Sequence, residues 1–188
     1  VLGRIRTTAI AVIGAAALAV TSIATPAAGA APLPREAAVK AAPATFVHPG
    51  VLVSKGQLDF MKSKVNAGAQ PWKGAYDQMM SHSLASLSRT PKPRAIVECG
   101  SYSNPNNGCT DERQDALAAY TLALAWYVTQ DSRYAKKSIE IMDAWSAVIK
   151  DHTNTNAPLQ TGWAGSSWPR AAEIIRYTYT GWSATGVS

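Results

Sequence analysis

The sequence predicts an all-α fold built from consecutive antiparallel helix hairpins, a stacked or toroidal array, and three observations lead there. Apolar residues recur at helical spacing in segment after segment. Capping signals stand in front of those segments, and no stretch alternates polar with apolar as a half-buried strand does. With 188 residues, 47% of them hydrophobic and 16% charged, the chain also carries enough apolar material for one folded domain.

Val53-Ser54-Lys55-Gly56-Gln57-Leu58 opens the first helix: Ser54 is the N-cap, Gln57 its capping-box partner, and Val53 with Leu58 the hydrophobic staple. Leu58, Met61 and Val65 continue as one apolar stripe, which Gly68 ends. Pro71 opens a second helix on which Trp72, Tyr76, Met79, Ser83 and Leu87 share a face, closed before Pro91 and Pro93, and the two helices make a hairpin. Asp111 and Gln114 form another capping box, and residues 116–128 are apolar on almost every face, the pattern of a helix covered on both sides. Asp131 or Ser132 caps an amphipathic helix with Ile141, Met142, Trp145, Val148 and Ile149 opposite Lys136, Glu140, Asp143 and Lys150. A polar loop over 151–167 leads to a last helix through Pro169, Ala171, Ile174, Ile175 and Thr178, ending near Gly181. The chain then stops at Ser188, where another capped helix would begin, so the array is expected to be truncated.

Ahead of this domain, residues 1–30 read as a secretory signal. Arg4 and Arg6 give the positive start, residues 9–20 are nearly all apolar, and Ala28-Gly29-Ala30 supplies a small-x-small site with cleavage after Ala30. Thr21, Ser22 and Pro26 cut the apolar run short of the roughly 20 residues that a membrane span requires. No adjacent arginines mark the twin-arginine route. A secreted or periplasmic protein with no membrane attachment after cleavage is the expectation. Residues 31–45 are a flexible Ala/Pro-rich linker, and 46–188 form the helical domain.

Cys99 and Cys109 bracket a run of turn formers and would travel to an oxidising compartment, so they are expected to form a disulfide. The alternative, a zinc site, lacks nearby ligands because His48, His82 and His152 are scattered, and no metal is expected. The formal charge of +6, or +4 once Arg4 and Arg6 leave with the signal, is too small and dispersed for a nucleic-acid surface and suits an acidic polysaccharide. Asp111, Glu112 and Asp115 read as first-turn charges that complement the helix dipole, which leaves paired-carboxylate glycoside hydrolysis without support. No phosphate loop or nucleophile elbow is present.

The stretch HTNTNAPLQTGWAGSSW gathers His152, Asn154, Asn156, Gln160, Trp163 and Trp168 between two helices, as a substrate groove would, or as a turn-rich connector whose Trp residues plug the core. Trp163, flanked by Gly162 and Gly165, is the best sugar-stacking platform. Histidine is the side-chain type best suited to proton transfer near neutral pH, which makes His152 a candidate base. Arg170 opposes the dipole of its helix and needs a partner, either a substrate carboxylate or Glu173 three residues on.

Residues 115–179 resemble the alginate lyase family of secreted bacterial polysaccharide lyases, through DALAAYTLALAWYVTQDSRYAKKSIEIMDAWS and then NAPLQTGWAGSSWPRAAEIIRYT. The resemblance covers 46–188 as the amino-terminal half of the family domain. It implies part of an (α/α) toroid with a groove, and β-elimination on a 1,4-linked polyuronate of the alginate or glucuronan type, without a cofactor. Such chemistry needs Arg, Asn or His to neutralise the uronate carboxylate, a base at C5 and an acid at O4. The resemblance also suggests a substrate-covering loop that bears a tyrosine, the role it implies for Tyr102. The family's Asn-containing catalytic segment and its later Tyr have no counterpart between Val1 and Ser188, so the main catalytic residues are expected beyond Ser188. A non-catalytic helical module that binds acidic polysaccharide is the alternative, and a glycoside hydrolase on the same architecture a third reading.

Overall fold

A computed structural model describes residues 45–183. The expected signal, its cleavage site and the linker up to residue 44 lie outside the described residues. Within them the chain forms helices α1 (Lys55–Asn66) and α2 (Trp72–Ser81), strands β1 (Ile96–Cys99) and β2 (Asn106–Asn107), helices α3 (Cys109–Thr129) and α4 (Ser132–Ser146), strand β3 (Asp151–Thr153), and helices α5 (Ala157–Gly165) and α6 (Trp168–Thr178).

The local start signals act as the sequence indicates. Ser54 Oγ accepts from the Gln57 amide at 3.3 Å, and Gln57 Oε1 accepts from the Ser54 amide at 2.9 Å, so both halves of the capping box close. Asp131 caps α4 by accepting from the Arg133 amide at 3.0 Å.

Helix α3 is the axis of the molecule. Its apolar residues face inward on both sides, with Ala118, Ala119, Leu122, Ala123 and Ala125 fully buried, and it packs against α1, α4, α5 and α6. The alanines let neighbouring helices approach closely, and Ser138 of α4 donates to the Ala119 carbonyl at 2.8 Å across that contact. From α6, Ala171, Ile174 and Ile175 complete the core, and Thr178 Oγ1 accepts from Trp126 Nε1 at 2.9 Å.

The structure corrects the all-α expectation, because β1 stands between β2 and β3 in a small sheet, antiparallel to β2 and parallel to β3. In β1, Val97 and Cys99 point inward while Ile96 is exposed, but four residues are too few for alternation to register in a sequence. The β3 partner comes from about fifty residues downstream, pairing Val97 with His152. Residues 151–167 are likewise not one loop: they hold β3 and α5, the latter with proline in its first turn.

Two helix boundaries also differ. Helix α2 ends at Ser81 rather than near Leu87, because His82 adopts an extended backbone and its Nδ1 accepts from the Leu84 amide, turning the chain into a short 3-10 segment over Ser83–Ala85. Helix α3 begins at Cys109, so Asp111 and Gln114 are not its capping box. Gly108 turns the chain with φ +90°, and a Cβ there would lie 2.4 Å from Arg94 Cδ. The N-cap position is Gly108, which has no side chain to offer, and Asn106 two residues earlier accepts from the Thr110 amide at 3.1 Å through its Oδ1.

Tyr127 of α3 donates to Asp59 of α1 at 2.6 Å. Burial, followed by the bond to Asp59, pushes the Tyr127 phenol well above its ordinary 10.0, so the neutral form favours the folded state. Stability from this group is whole below pH 10 and declines as pH rises from there toward the folded-state value. Tyr127→Phe should cost about 1 kcal/mol at neutral pH. It should also flatten the alkaline loss, read from urea melts at intervals across that range.

Candidate functional site

The site is assembled where the sheet meets α3 and α5. Strands β1 and β2 form a hairpin whose base is closed by the Cys99–Cys109 disulfide, with the Cα atoms 5.9 Å apart. Gly100 is obligatory at the start of its loop, since a Cβ there would lie 1.9 Å from the Asn104 carbonyl oxygen. At the tip, Tyr102 and Ser103 both hold positive φ, 53° and 59°, a strained backbone that leaves the Tyr102 ring fully exposed.

The segment before α5 fastens this loop. Asn156 donates twice, from its amide to the Cys99 carbonyl and from Nδ2 to the Gly100 carbonyl, both at 2.9 Å. Glu98 accepts from Asn107 at 2.6 Å and from Asn154 at 3.2 Å, tying β2 and the turn after β3 to the central strand.

Beneath the loop lies a buried polar network. Glu112 is 2% exposed, and both of its carboxylate oxygens lie 3.0 Å from His152 Nε2, while Gln160 Nε2 donates to one of them. Gln160, wholly buried, also donates to the Cys109 carbonyl at 3.1 Å. Its Oε1 accepts from the Arg113 guanidinium at 2.7 Å. That guanidinium lies 5.2 Å from the centroid of the half-exposed Trp163 ring.

These groups face a cleft of 470 Å³ lined by Gly100, Tyr102, Ser103, Arg113, Asn156, Gln160, Trp163 and the disulfide. Tyr102, Asn156, Gln160 and Trp163 therefore converge on one cleft. His152 and Asn154 do not line the cleft: His152 is engaged by Glu112 and Asn154 by Glu98, so both act from behind it.

Trp168 belongs to a different cleft, of 370 Å³, where it meets Trp145 at 6.2 Å in the company of Met142 and Trp182. Arg170 neither lines the site cleft nor pairs with Glu173. Its guanidinium lies over Tyr120 at 5.5 Å. Glu173 instead binds His48 and accepts from the Gly50 amide at 3.0 Å, pinning the start of the domain to α6.

Glu112 and Asp115 are corrected as well, for they are interior anchors rather than first-turn surface charges. Asp115, 1% exposed, accepts from Arg89 Nε, the Lys92 amide and Trp145 Nε1 at 2.7–2.8 Å. Sequence reasoning also missed Arg113, the cation of the cleft. Its partner Gln160 stands 47 residues away, and nothing local distinguishes Arg113 from an exposed first-turn residue.

In chemical terms the cleft offers a fixed guanidinium, an indole face, carboxamides and a phenol. A ring with a carboxylate substituent fits that set, through bidentate pairing with Arg and stacking on Trp. Among the described residues no group of three or more His, Cys, Asp or Glu could hold a metal ion.

Replacing Gln160 with leucine should remove the hold on Arg113 and leave Glu112 with one partner fewer in the interior. A loss of about 2–4 kcal/mol is expected from chemical denaturation, against less than about 1 kcal/mol for Asn154→Ala at the exposed edge. Removing the disulfide by Cys99→Ser with Cys109→Ser should cost roughly 2–3 kcal/mol in the same measurement, given its short loop.

The sequence profile of one protein family, described as Alginate lyase, matches residues 63–185. No curated protein and no solved structure matches the chain. The matched span exceeds half of the sequence and contains every residue that lines the cleft. The chain belongs to the alginate lyase family.

Proposed function

We propose that this chain is a secreted polysaccharide lyase, or the amino-terminal half of one, that cleaves a 1,4-linked polyuronate of the alginate or glucuronan type by β-elimination. Its helices would form part of an (α/α) toroid. The observation that carries the reading is the Arg113 guanidinium 5.2 Å from the centroid of the Trp163 ring in a cleft that the exposed Tyr102 also lines.

Each group meets a requirement of the reaction. The guanidinium forks the uronate carboxylate and offsets its charge, which acidifies the C5 proton. The indole supports the apolar face of the sugar. A base removes the C5 proton, the C5–H electron pair forms the C4–C5 double bond, and the C4–O4 bond breaks as O4 takes up a proton. Of the side chains lining the cleft, the Tyr102 phenol is the one able to give or accept that proton. No Asp or Glu lines the cleft, which argues against paired-carboxylate hydrolysis. Export agrees with the disulfide, which persists in oxidising compartments. No helix among the described residues is long and apolar enough to cross a membrane.

One observation favours a second reading, a module that binds acidic polysaccharide without cleaving it. The imidazole of His152 is committed to Glu112 and does not line the cleft, so the cleft holds no histidine base.

Ultraviolet absorbance of the unsaturated uronate separates the readings. The chain mixed with alginate, glucuronan and pectate in turn should raise the absorbance with one of them. Arg113→Gln should slow the rise roughly 10²-fold, and Tyr102→Phe should slow it by a similar factor. Saturable quenching of tryptophan fluorescence with no rise in absorbance would select the binding module, and neither signal would sink both.

A further inference from the structure

Helix α3 is covered around most of its circumference, yet Thr110, Arg113, Leu117, Tyr120 and Leu124 are exposed or half-exposed. Their spacing of three and four residues puts them on one face. Two arginines sit on this face, each laid over an aromatic ring: Arg113 over Trp163 of α5, and Arg170 of α6 over Tyr120. Arg89, Arg94 and Arg133 each have a carboxylate partner. Among the described residues Arg113, Arg170 and Arg176, the last 5.7 Å from the Tyr177 ring centroid, have none within ion-pair distance, and of these Arg113 and Arg170 lie on or beside the α3 stripe. Arg170 Nε is in addition buried with no hydrogen-bond partner.

Arg113 and Tyr120 are seven residues apart, two helical turns, or about 10 Å along the axis. That is close to the length of two 1,4-linked pyranose units. In an extended 1,4-linked chain alternate units turn the same side outward, so their carboxylates recur at this interval.

We infer that this face of α3 is a two-station track for an acidic polysaccharide, with Arg113 and Trp163 holding one uronate unit and Tyr120 and Arg170 holding the unit two places along. The inference rests on the polyuronate reading above and extends it beyond the cleft. Charge decides the occupant. The five residues of the stripe include no acid, and among the described residues neither Arg113 within it nor Arg170 beside it has a carboxylate counterion. Arg113 donates one N–H to Gln160 and another to Thr110, and each guanidinium, with five N–H donors, has others left for a carboxylate. Leu117, 42% exposed between the stations, offers an apolar contact to the C–H face of the intervening sugar.

Calorimetric titration of the chain with a uronate dimer, a uronate pentamer and a neutral 1,4-linked glucose pentamer tests the track. The uronate pentamer should bind at least about tenfold more tightly than the dimer, because the second station acts as a linked site. Arg170→Gln should abolish that gap by weakening the pentamer far more than the dimer, whereas Arg113→Gln should weaken both. Arg170→Lys, which keeps the charge but loses the fork, should retain part of the gap and guards against a glutamine variant that fails to fold. The advantage of the pentamer should also shrink as salt rises.

If the native chain binds dimer and pentamer equally, or Arg170→Gln preserves the gap, the track is wrong and the single cleft stands. If the native chain binds no uronate, the track and the polyuronate reading fall together. Equal affinity for the neutral pentamer overturns the charge-based track.

Discussion

The arrangement depends on one buried carboxylate. Glu112 sits on the central helix with almost no exposure, and an ionised group there is tolerated only when its oxygens are satisfied by directed partners. His152 and Gln160 provide them, and each brings a separate element to α3: β3 with the sheet, and α5 with the wall of the cleft. Gln160 spends its remaining capacity on the Cys109 carbonyl and on Arg113. The direction of the cleft's guanidinium is therefore a consequence of how an interior charge is satisfied.

Asp115, one turn further along α3, does the same for another part of the chain. Its acceptors take up Arg89 and the Lys92 amide from the connection that precedes β1, and Trp145 from α4. Two carboxylates on a single helical face thus fix the segments that flank the sheet, one from each direction in the sequence. Hydrophobic burial alone would leave those short polar segments free to slide, because it is non-directional. Directed bonds to buried charges set their register, at the cost that losing any partner exposes the interior to an unpaired charge.

What the sequence reveals follows the range of the interaction. The Ser54–Gln57 box and the Asp131 cap are legible because every participant lies within three residues. The apolar circumference of α3 is legible for the same reason, being a property of one segment. The sheet is not, since β1 is four residues long and one of its partners lies about fifty residues away. Gln160 and Trp163 could be chosen by residue type and by their place in a Gly- and Asn-rich stretch, but Trp168, from the same stretch, faces another cleft. Glu112 and Arg113 carried no signal: an acid and a base in a first helical turn are the commonest of surface patterns, and only their distant partners make them interior.

The loop above the cleft shows how a short segment can be both strained and dependable. Tyr102 and Ser103 hold left-handed backbone angles that neither residue favours, and a ring exposed to solvent gains nothing from burial to offset them. The compensation lies at the loop's base, where the disulfide, the Gly100 close approach and the two Asn156 bonds fix both ends. Cross-linking removes conformations from the unfolded chain, so less freedom remains to be lost when the tip is ordered. A ligand entering the cleft would meet a phenol already projecting from an anchored support, and the entropy that a floppy loop would surrender on binding has been spent in folding.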